Sequence, residues 1–264
     1  MQYKIISLIL FLSIPVSSDS LKFNSVNNNG ALGIINMPSA RFYDQGSFAL
    51  NFYKEDKDNF KKSILIAPLD GIEISMLNTT SDFYKTELLL NQQKSFDEVN
   101  VKIRLKEEGD YPAVAIGIND INAEGLNSAE YIVASYGVDN LDFTVGMGWG
   151  NLDGLNSHKN FLGEIDENFL HRPEAFSESD KYKNYFRGDT FSVFGGISAV
   201  ILNSFIFKLE YDSSNFDNLI LDEDYSRLNY GINFVGLEYI DIGISYEYGS
   251  SYGFHISLKK NLFK

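Results

Sequence analysis

Three basic residues, Lys102, Arg104 and Lys106, occupy every second position of one segment, with apolar residues between them. Alternate side chains of a β-strand point to the same face, so these cations are predicted to form a ladder on one face. Such a ladder either attracts anionic solutes or polymers, or pairs with Glu73, Glu210 and Glu247 and rigidifies a filled interior. We favour the pairing. The set predicted to line this interior consists of the acids Glu73, Glu210 and Glu247, the bases Lys102, Arg104, Lys106 and Lys208, and His255.

No other group of residues in the chain has the spacing of a catalytic or metal site. The three histidines are scattered and match no ligand spacing such as H-E-x-x-H. The acidic residues at 217 and 222–224 are candidates for divalent cations, but they lack the spacing and glycine of a calcium loop, and solvated charge is the favoured interpretation. The sequence therefore predicts a protein that is not an enzyme and has no cofactor.

The glycines of the segment 146–150, Gly-Met-Gly-Trp-Gly, superficially suggest a phosphate-binding loop. The segment lacks the lysine and the following helix that such a loop requires. Because alternate positions share one face, the glycines are predicted to leave space in an interior or to accommodate curvature of a sheet.

The elements that must position these residues are β-strands with one apolar and one polar face. From 240 to 248 every second residue is isoleucine or tyrosine, and the residues between them are Asp, Gly, Ser, Glu. This alternation suits a wall with lipid on one side and an aqueous interior on the other, and a soluble β-sandwich is the alternative. Twelve strands are predicted, at 47–54, 61–68, 71–77, 98–106, 112–119, 129–136, 142–149, 191–199, 203–211, 228–235, 239–248 and 252–260.

The connections between these strands alternate in length. Tight turns are predicted on one side and longer connections on the other, except for the short connections 55–60 and 249–251 beside the closing seam, as in outer-membrane barrels with periplasmic turns and extracellular loops. The longest connection, 150–190, is predicted to be a disordered surface loop. Outward-facing aromatic residues near strand ends, including the pairs Phe143 with Trp149 and Phe205 with Tyr211, are typical of interfacial girdles.

Composition agrees with an exported barrel. The chain has 21 Gly, 21 Phe and 16 Tyr, but no Cys, which excludes disulfides and an acylated amino-terminal cysteine within it. Residues 1–20 are predicted to be a cleaved signal peptide, and 21–46 a periplasmic segment that either remains there or enters the lumen. The net charge of −14 argues against nucleic acid as a partner.

The closing strand carries a candidate assembly signal. Its spacing of a polar residue, a glycine and two apolar residues resembles the carboxy-terminal strand by which outer-membrane proteins are presented to the barrel-assembly machinery. The residues concerned are Ser251, Gly253, Ile256 and Leu258. The alternative is an ordinary amphipathic strand.

Three segments together resemble a known family. Residues 30–41 end in Met-Pro-Ser-Ala-Arg, residues 112–135 contain Pro-Ala-Val-Ala-Ile-Gly-Ile-Asn-Asp-Ile and Ser-Ala-Glu-Tyr-Ile-Val-Ala-Ser, and residues 141–150 read Leu-Asp-Phe-Thr-Val-Gly-Met-Gly-Trp-Gly. These segments resemble the amino-terminal part of the YjbH family of outer-membrane proteins, over roughly residues 30 to 150. Typical members are far longer, and several are lipoproteins.

The resemblance implies a role in producing or exporting an extracellular polysaccharide, and it supplies no catalytic residues. We therefore expect a single antiparallel transmembrane barrel of about twelve strands over 47–264, in the outer membrane of a Gram-negative cell. Its expected partners are outer-membrane lipids, the barrel-assembly machinery, and a polysaccharide or other export components. The alternative functions are a porin-like diffusion channel and an outer-membrane hydrolase or acyltransferase, which would need catalytic side chains clustered near one rim.

Overall fold

The computed structural model describes residues 23–56, 59–81, 94–121, 128–154, 157–172, 185–215 and 225–264. The predicted signal peptide and the acidic residues at 217 and 222–224 lie outside these ranges. Among the described residues, no helix is long and apolar enough to cross a bilayer.

The strands form one antiparallel sheet that closes on itself. The amino-terminal strand pairs with the last one, with Ser47 opposite Asn261 and Glu55 opposite Gly253. Twelve strands form the wall, as the alternation of side chains predicts, and β8 is a short extra strand that pairs with the start of β9. The strands are β1 Ser47–Glu55, β2 Asn59–Leu69, β3 Ile72–Ser81, β4 Lys94–Lys106, β5 Ala113–Asn119, β6 Ala129–Val138, β7 Leu141–Gly150, β8 His158–Lys159, β9 Thr190–Ile201, β10 Phe205–Tyr211, β11 Leu228–Phe234, β12 Ile240–Glu247 and β13 Ser251–Asn261.

The two ends of the barrel differ in their connections. At one end β2–β3, β4–β5, β6–β7, β9–β10 and β11–β12 are joined by short turns, and we call this end the short-turn rim. The opposite end carries the longer connections, including 151–189 between β7 and β9, and we call it the long-loop rim; its two short connections, β1–β2 and β12–β13, lie beside the closing seam. The start of β1 and the end of β13 both lie at the short-turn rim. The predicted asymmetry of turns and loops is therefore confirmed.

Apolar side chains face outward and polar side chains face the interior. Outward-facing Ile64, Met76 and Leu105 are 49, 61 and 59% exposed, whereas inward-facing Glu73 and Lys102 are each 2% exposed. This distribution is the reverse of that in a soluble protein. It matches a wall whose apolar exterior contacts acyl chains.

Several inward-facing glycines lie beside a large ring on the neighbouring strand. Gly117 is paired with Tyr131, Gly146 with Phe194 and Gly243 with His255. A Cβ atom on any of these glycines would lie 2.1–2.2 Å from an atom of the facing ring. The glycines on β7 therefore provide room for side chains that fill the interior, and they do not form a phosphate loop.

Replacing Gly117 with alanine is expected to destabilise the barrel by about 1–3 kcal/mol, because the new methyl group would displace the ring of Tyr131. The measurement is the free energy of unfolding in detergent or lipid, from urea titration. Gly109→Ala is the matched control, since a Cβ at Gly109 meets nothing within 4 Å. Equal effects of the two substitutions would contradict this account of the glycine.

Part of the longest connection packs on the outside of the wall. We call residues 157–172 and 185–189 the loop flap. Trp149, although it is on the outward row of β7, is fully buried, because its ring centroid lies 5.2 Å from that of Phe186 and 5.6 Å from that of Phe191. The prediction that Trp149 belongs to a lipid-facing girdle is therefore wrong, whereas Phe143 on the same row is 43% exposed.

The loop flap also buries an outward-facing carboxylate. Both terminal nitrogens of Arg172 bond to the Glu130 carboxylate, at 2.8 and 3.0 Å, and the backbone N–H of Phe186 donates to it at 2.9 Å. The loop flap also contains two 3-10 turns, Phe161–Glu164 and Glu167–Leu170. The expectation of a disordered loop is therefore wrong for the loop flap.

Candidate functional site

The interior of the barrel is occupied by the chain segment that precedes β1. We call residues 25–42 the lumen plug. The segment folds back on itself, with β-bridges between Val26 and Leu32 and between Gly33 and Pro38. Its two ends meet at the short-turn rim, where the Asn24 side-chain amide donates to the carbonyl of Phe42 at 3.0 Å.

The plug contains a tight turn that approaches the wall closely. Gly30 has a φ of +80°, and a Cβ added to it would lie 2.6 Å from the Cβ of Ser63 on β2. Glycine alone combines this backbone conformation with this approach. The Asn- and Gly-rich composition before β1 is thus explained by turns inside the lumen.

One wall carboxylate binds three consecutive backbone amides of the plug. Glu210 on β10 accepts from the N–H of Ile35 at 2.7 Å, of Asn36 at 3.0 Å and of Met37 at 2.9 Å. Hydrogen bonds from backbone amides to a carboxylate are short and strong in a site that excludes water. Glu210 therefore fixes the innermost part of the plug.

Two asparagines of the plug bind the neighbouring carboxylates. The Asn36 side-chain amide donates to Glu247 at 2.8 Å and to Asp212 at 3.2 Å, and that of Asn28 donates to Glu247 at 2.9 Å. We call Glu55, Glu210, Asp212 and Glu247 the acidic cluster. All four are at most 2% exposed.

A tyrosine in the turn after β12 completes the contacts of Asn36. The Asn36 amide donates to the Tyr248 hydroxyl at 3.1 Å. Burial raises the pKa of Tyr248 well above its ordinary value, and the charges of Glu247 and Asp212 raise it further. Tyr248 is therefore neutral at physiological pH and can accept this bond.

On the opposite side of the lumen, a buried lysine binds the plug through its carbonyls. The Nζ atom of Lys102 on β4 donates to the carbonyl of Arg41 at 2.6 Å and to those of Leu32 and Ser39 at 3.3 Å. It also forms an ion pair of 2.7 Å with Glu73, and it lies 4.4 Å from the centroid of the Phe42 ring. Lys208 makes a similar bond to the carbonyl of Ile34.

The plug is also held where it leaves the lumen. Arg41 lies at the short-turn rim and bonds through Nε to Asp142 at 3.1 Å and through a terminal nitrogen to Glu108 at 2.6 Å. Burial lowers the pKa of Arg41, but the hydrogen bonds and charges of Asp142 and Glu108 raise it more, so the net pKa lies above its ordinary value. Arg41 therefore remains charged at any physiological pH.

Apolar packing supports these polar contacts. Val26 and Leu32 of the plug pack against Ala49 and Leu65 of the wall. A second cluster joins Met37, Ala40 and Phe42 of the plug to wall residues of β5, β6 and β9 and to Leu152. The interior is thus a packed core in which the plug supplies much of the apolar surface.

Of the eight residues predicted to line the interior, six lie inside the lumen, and Arg104 and Lys106 lie at the short-turn rim. Lys102, Lys208, Glu210 and Glu247 are buried and bond to the plug, and Glu73 is buried and accepts from the N–H of Tyr43, directly after the plug. His255 faces the interior and covers Gly243.

At the short-turn rim the predicted basic ladder does not pair with interior acids, although the Arg104 guanidinium lies 4.9 Å from the ring centroid of Phe42 in the plug. Arg104 lies at the short-turn rim and pairs with Asp70 and Glu107, at 2.9 and 2.7 Å, and not with an interior acid. Lys106 is exposed, and its Nζ atom lies 4.1 Å from the Tyr111 ring centroid. A register shift between Arg104 and Lys106 places Lys106 opposite Val114, on the outward row, so its assignment to the lumen is wrong.

The candidate assembly signal lies at the seam that closes the barrel. Ser251 and Gly253 face the interior, and Ile256 and Leu258 face outward on β13, which pairs with both β1 and β12. Recognition of this strand by an assembly machinery stays a prediction.

Within the part of the chain that the structure describes, no three His, Asp or Glu side chains are arranged to hold a metal ion. The site is therefore a packed polar lumen, in which buried charges bind a segment of the same chain.

Comparisons with known proteins identify relatives of this chain. The model of the YjbH family, described as "Exopolysaccharide biosynthesis protein YbjH", matches residues 25–264, well beyond the three segments that carry the resemblance in sequence. The "Uncharacterized lipoprotein YjbH" of Escherichia coli (strain K12) is 29% identical over 248 residues, covering 90% of this chain and 35% of the relative. The chain thus spans about a third of the length of that relative.

Two solved structures are similar in architecture. The KdgM porin has a TM-score of 0.43 at 10% identity and covers 81% of this chain and 97% of its own. The NanC porin has a TM-score of 0.41 at 12% identity and covers 80% of this chain and 98% of its own.

Proposed function

Since this chain belongs to the YjbH family of exopolysaccharide biosynthesis proteins, we propose that it is a non-enzymatic outer-membrane barrel that assists the production, secretion or assembly of an exopolysaccharide. The lumen plug is the observation that supports a barrel without an open channel. A general diffusion channel needs a water-filled passage, and here the interior holds a segment of chain bonded to Glu210 and Lys102.

The outer-membrane location follows from the exterior of the barrel. An apolar belt over an antiparallel closed wall is the arrangement by which strands cross a membrane, because closure leaves no unpaired backbone groups in the lipid. By analogy with such barrels, the short-turn rim faces the periplasm and the long-loop rim faces the cell exterior. The chain would then enter and leave the lumen from the periplasmic side.

A second function, that of a porin-like diffusion channel, predicts a different result in a simple measurement. The unmodified protein in a planar bilayer would show steady ionic conductance if it were a porin. A plugged barrel would show none.

Deleting the gene is expected to lower the amount of secreted polysaccharide severalfold without impairing growth, and the wild-type gene on a plasmid should restore secretion. The measurement is the uronic acid and total carbohydrate recovered from the culture medium. Complementation with Gly109→Ala is a control for expression, because this substitution contacts nothing. Unchanged polymer in the deletion strain would refute the proposed role.

A further inference from the structure

The charges on the inner wall are distributed unevenly along the barrel axis. In the half near the short-turn rim, Lys102 pairs with Glu73 and Lys259 with Asp241, each at 2.7 Å, and Asp142 is paired with Arg41 of the plug. In the half near the long-loop rim, the acidic cluster and Glu98 face the interior, against Lys61 and Lys208, and Arg227 lies beside Asp212, donating to its backbone carbonyl at 3.2 Å. Among the described residues, the lumen wall is therefore net acidic, and the larger excess lies in the half near the long-loop rim.

The acidic cluster is held together by neutral donors. Asn36 bridges Glu247 and Asp212, and Asn229 on β11 bridges Glu210 and Asp212, at 3.1 and 3.4 Å. Most of the remaining donors to Glu210 and Glu247 are backbone N–H groups and the amide of Asn28. Amides stabilise the charges of these carboxylates by hydrogen bonding but do not cancel them.

Among the described residues, one carboxylate oxygen of the cluster accepts no hydrogen bond. Oε1 of Glu55 is buried without a hydrogen bond, although Glu55 is only 2% exposed, and its other oxygen accepts from Asn59 at 3.1 Å. A buried carboxylate oxygen without a donor is costly, and water or a cation would satisfy it. This side of the lumen is thus suited to positive charge.

The plug occupies the space that a permeating ion would need. It passes through the lumen twice, and two adjacent passes of chain with their side chains need a width of about 10 Å. The only charged residue of the plug is Arg41, which lies at the short-turn rim, far from the acidic cluster. Removing the plug would therefore leave the carboxylates in place, exposed to water.

We propose that the barrel wall encloses a latent pore that selects small cations, which the lumen plug keeps closed and the acidic cluster makes selective. Rings of carboxylates concentrate cations and repel anions at close range. A consequence is that an acidic polysaccharide would be repelled from this lumen. This inference rests on the plugged geometry and not on the polysaccharide role, so either can fail without the other.

The test is conductance in planar bilayers with KCl. The unmodified protein is expected to be closed, and a variant lacking residues 25–41 is expected to conduct with a K⁺ to Cl⁻ permeability ratio above about 3, measured from the reversal potential across a salt gradient. In the plug-less variant, Glu55→Gln with Glu247→Gln should bring the ratio close to about 1. The matched control is Asp97→Asn, an exposed carboxylate on the outward face, which should leave the ratio unchanged.

A second variant keeps the test decisive if the plug-less barrel does not fold. Lys102→Met in the full chain weakens the plug from the side opposite the acidic cluster and should give intermittent, cation-selective openings. Anion-selective or non-selective conductance in either variant would overturn the proposal, as would a folded plug-less barrel that conducts nothing. If the plug-less barrel does not fold, a Lys102→Met protein without openings would also overturn it.

Discussion

Replacing Glu210 with alanine is expected to lower the free energy of unfolding by about 3–5 kcal/mol and to release the lumen plug. The substitution leaves three consecutive backbone N–H groups, those of Ile35, Asn36 and Met37, without an acceptor in a buried site. It also leaves Lys208 close to the plug without the charge of its neighbour. The unfolding free energy is measured by urea titration in lipid vesicles, and release of the plug by chymotrypsin cleavage after Phe42.

Two further variants separate the plug contact from a general loss of charge. Glu210→Gln keeps one carbonyl oxygen as an acceptor, so we expect it to lower the free energy of unfolding by roughly half as much as Glu210→Ala does. Asp97→Asn removes an exposed carboxylate that bonds only locally, to Asn78 at 2.7 Å, and should change stability by less than about 0.5 kcal/mol. A Glu210→Ala protein with wild-type stability and a protected plug would contradict the role assigned to this carboxylate.

Replacing Lys102 with methionine is expected to cost about 3–5 kcal/mol as well, because it leaves Glu73 buried with an unpaired charge. It also removes the donor to three carbonyls of the plug, those of Leu32, Ser39 and Arg41. Methionine retains most of the apolar length of lysine, so little packing is lost. The same unfolding and cleavage measurements apply.

The double variant Lys102→Met with Glu73→Gln distinguishes the ion pair from the plug contacts. Neutralising Glu73 removes the unpaired charge, so the double variant should be more stable than the sum of the single losses predicts, by at least about 1 kcal/mol. The plug should still be cleaved faster than in the wild type, since the carbonyls remain without a donor. Strictly additive losses would mean that the two side chains do not interact.

The barrel could be predicted because its signal is local and repeated. Each wall strand carries the same two-residue alternation, so an error at one strand does not change the conclusion for the others. The turn at residues 70–71 and the long connection after β7 added an independent check, because loop length alternates between the rims. Strand number and direction followed from these two patterns together.

The prediction for Lys106 was wrong because alternation fails at an irregularity. The register shift after Arg104 moves Lys106 to the outward row. No glycine between these two residues indicates a bulge in the sequence. Glu130 and Trp149 follow the alternation correctly but do not meet lipid. The loop flap covers them, and a contact between segments so distant in sequence has no local signal.

The contacts of the plug could not be derived for the same reason. Asn36 and Glu247 are separated by 211 positions, and Ile35 and Glu210 by 175. The sequence before β1 indicated turns and left open whether the segment enters the lumen. The prediction that the ladder pairs with Glu73, Glu210 and Glu247 is confirmed for Lys102 with Glu73, whereas Glu210 and Glu247 bind the plug.

The distribution of the plug's partners around the wall has a consequence for biogenesis. They lie on β2, β4, β6, β7, β10 and β12, so the lumen plug cannot bind all of them until nearly the whole wall has formed. A wall that closed in a slipped register would turn Glu210 and Glu247 toward the lipid and leave the lumen plug without its anchors. The contacts of the lumen plug thus favour a wall that closes in the native register.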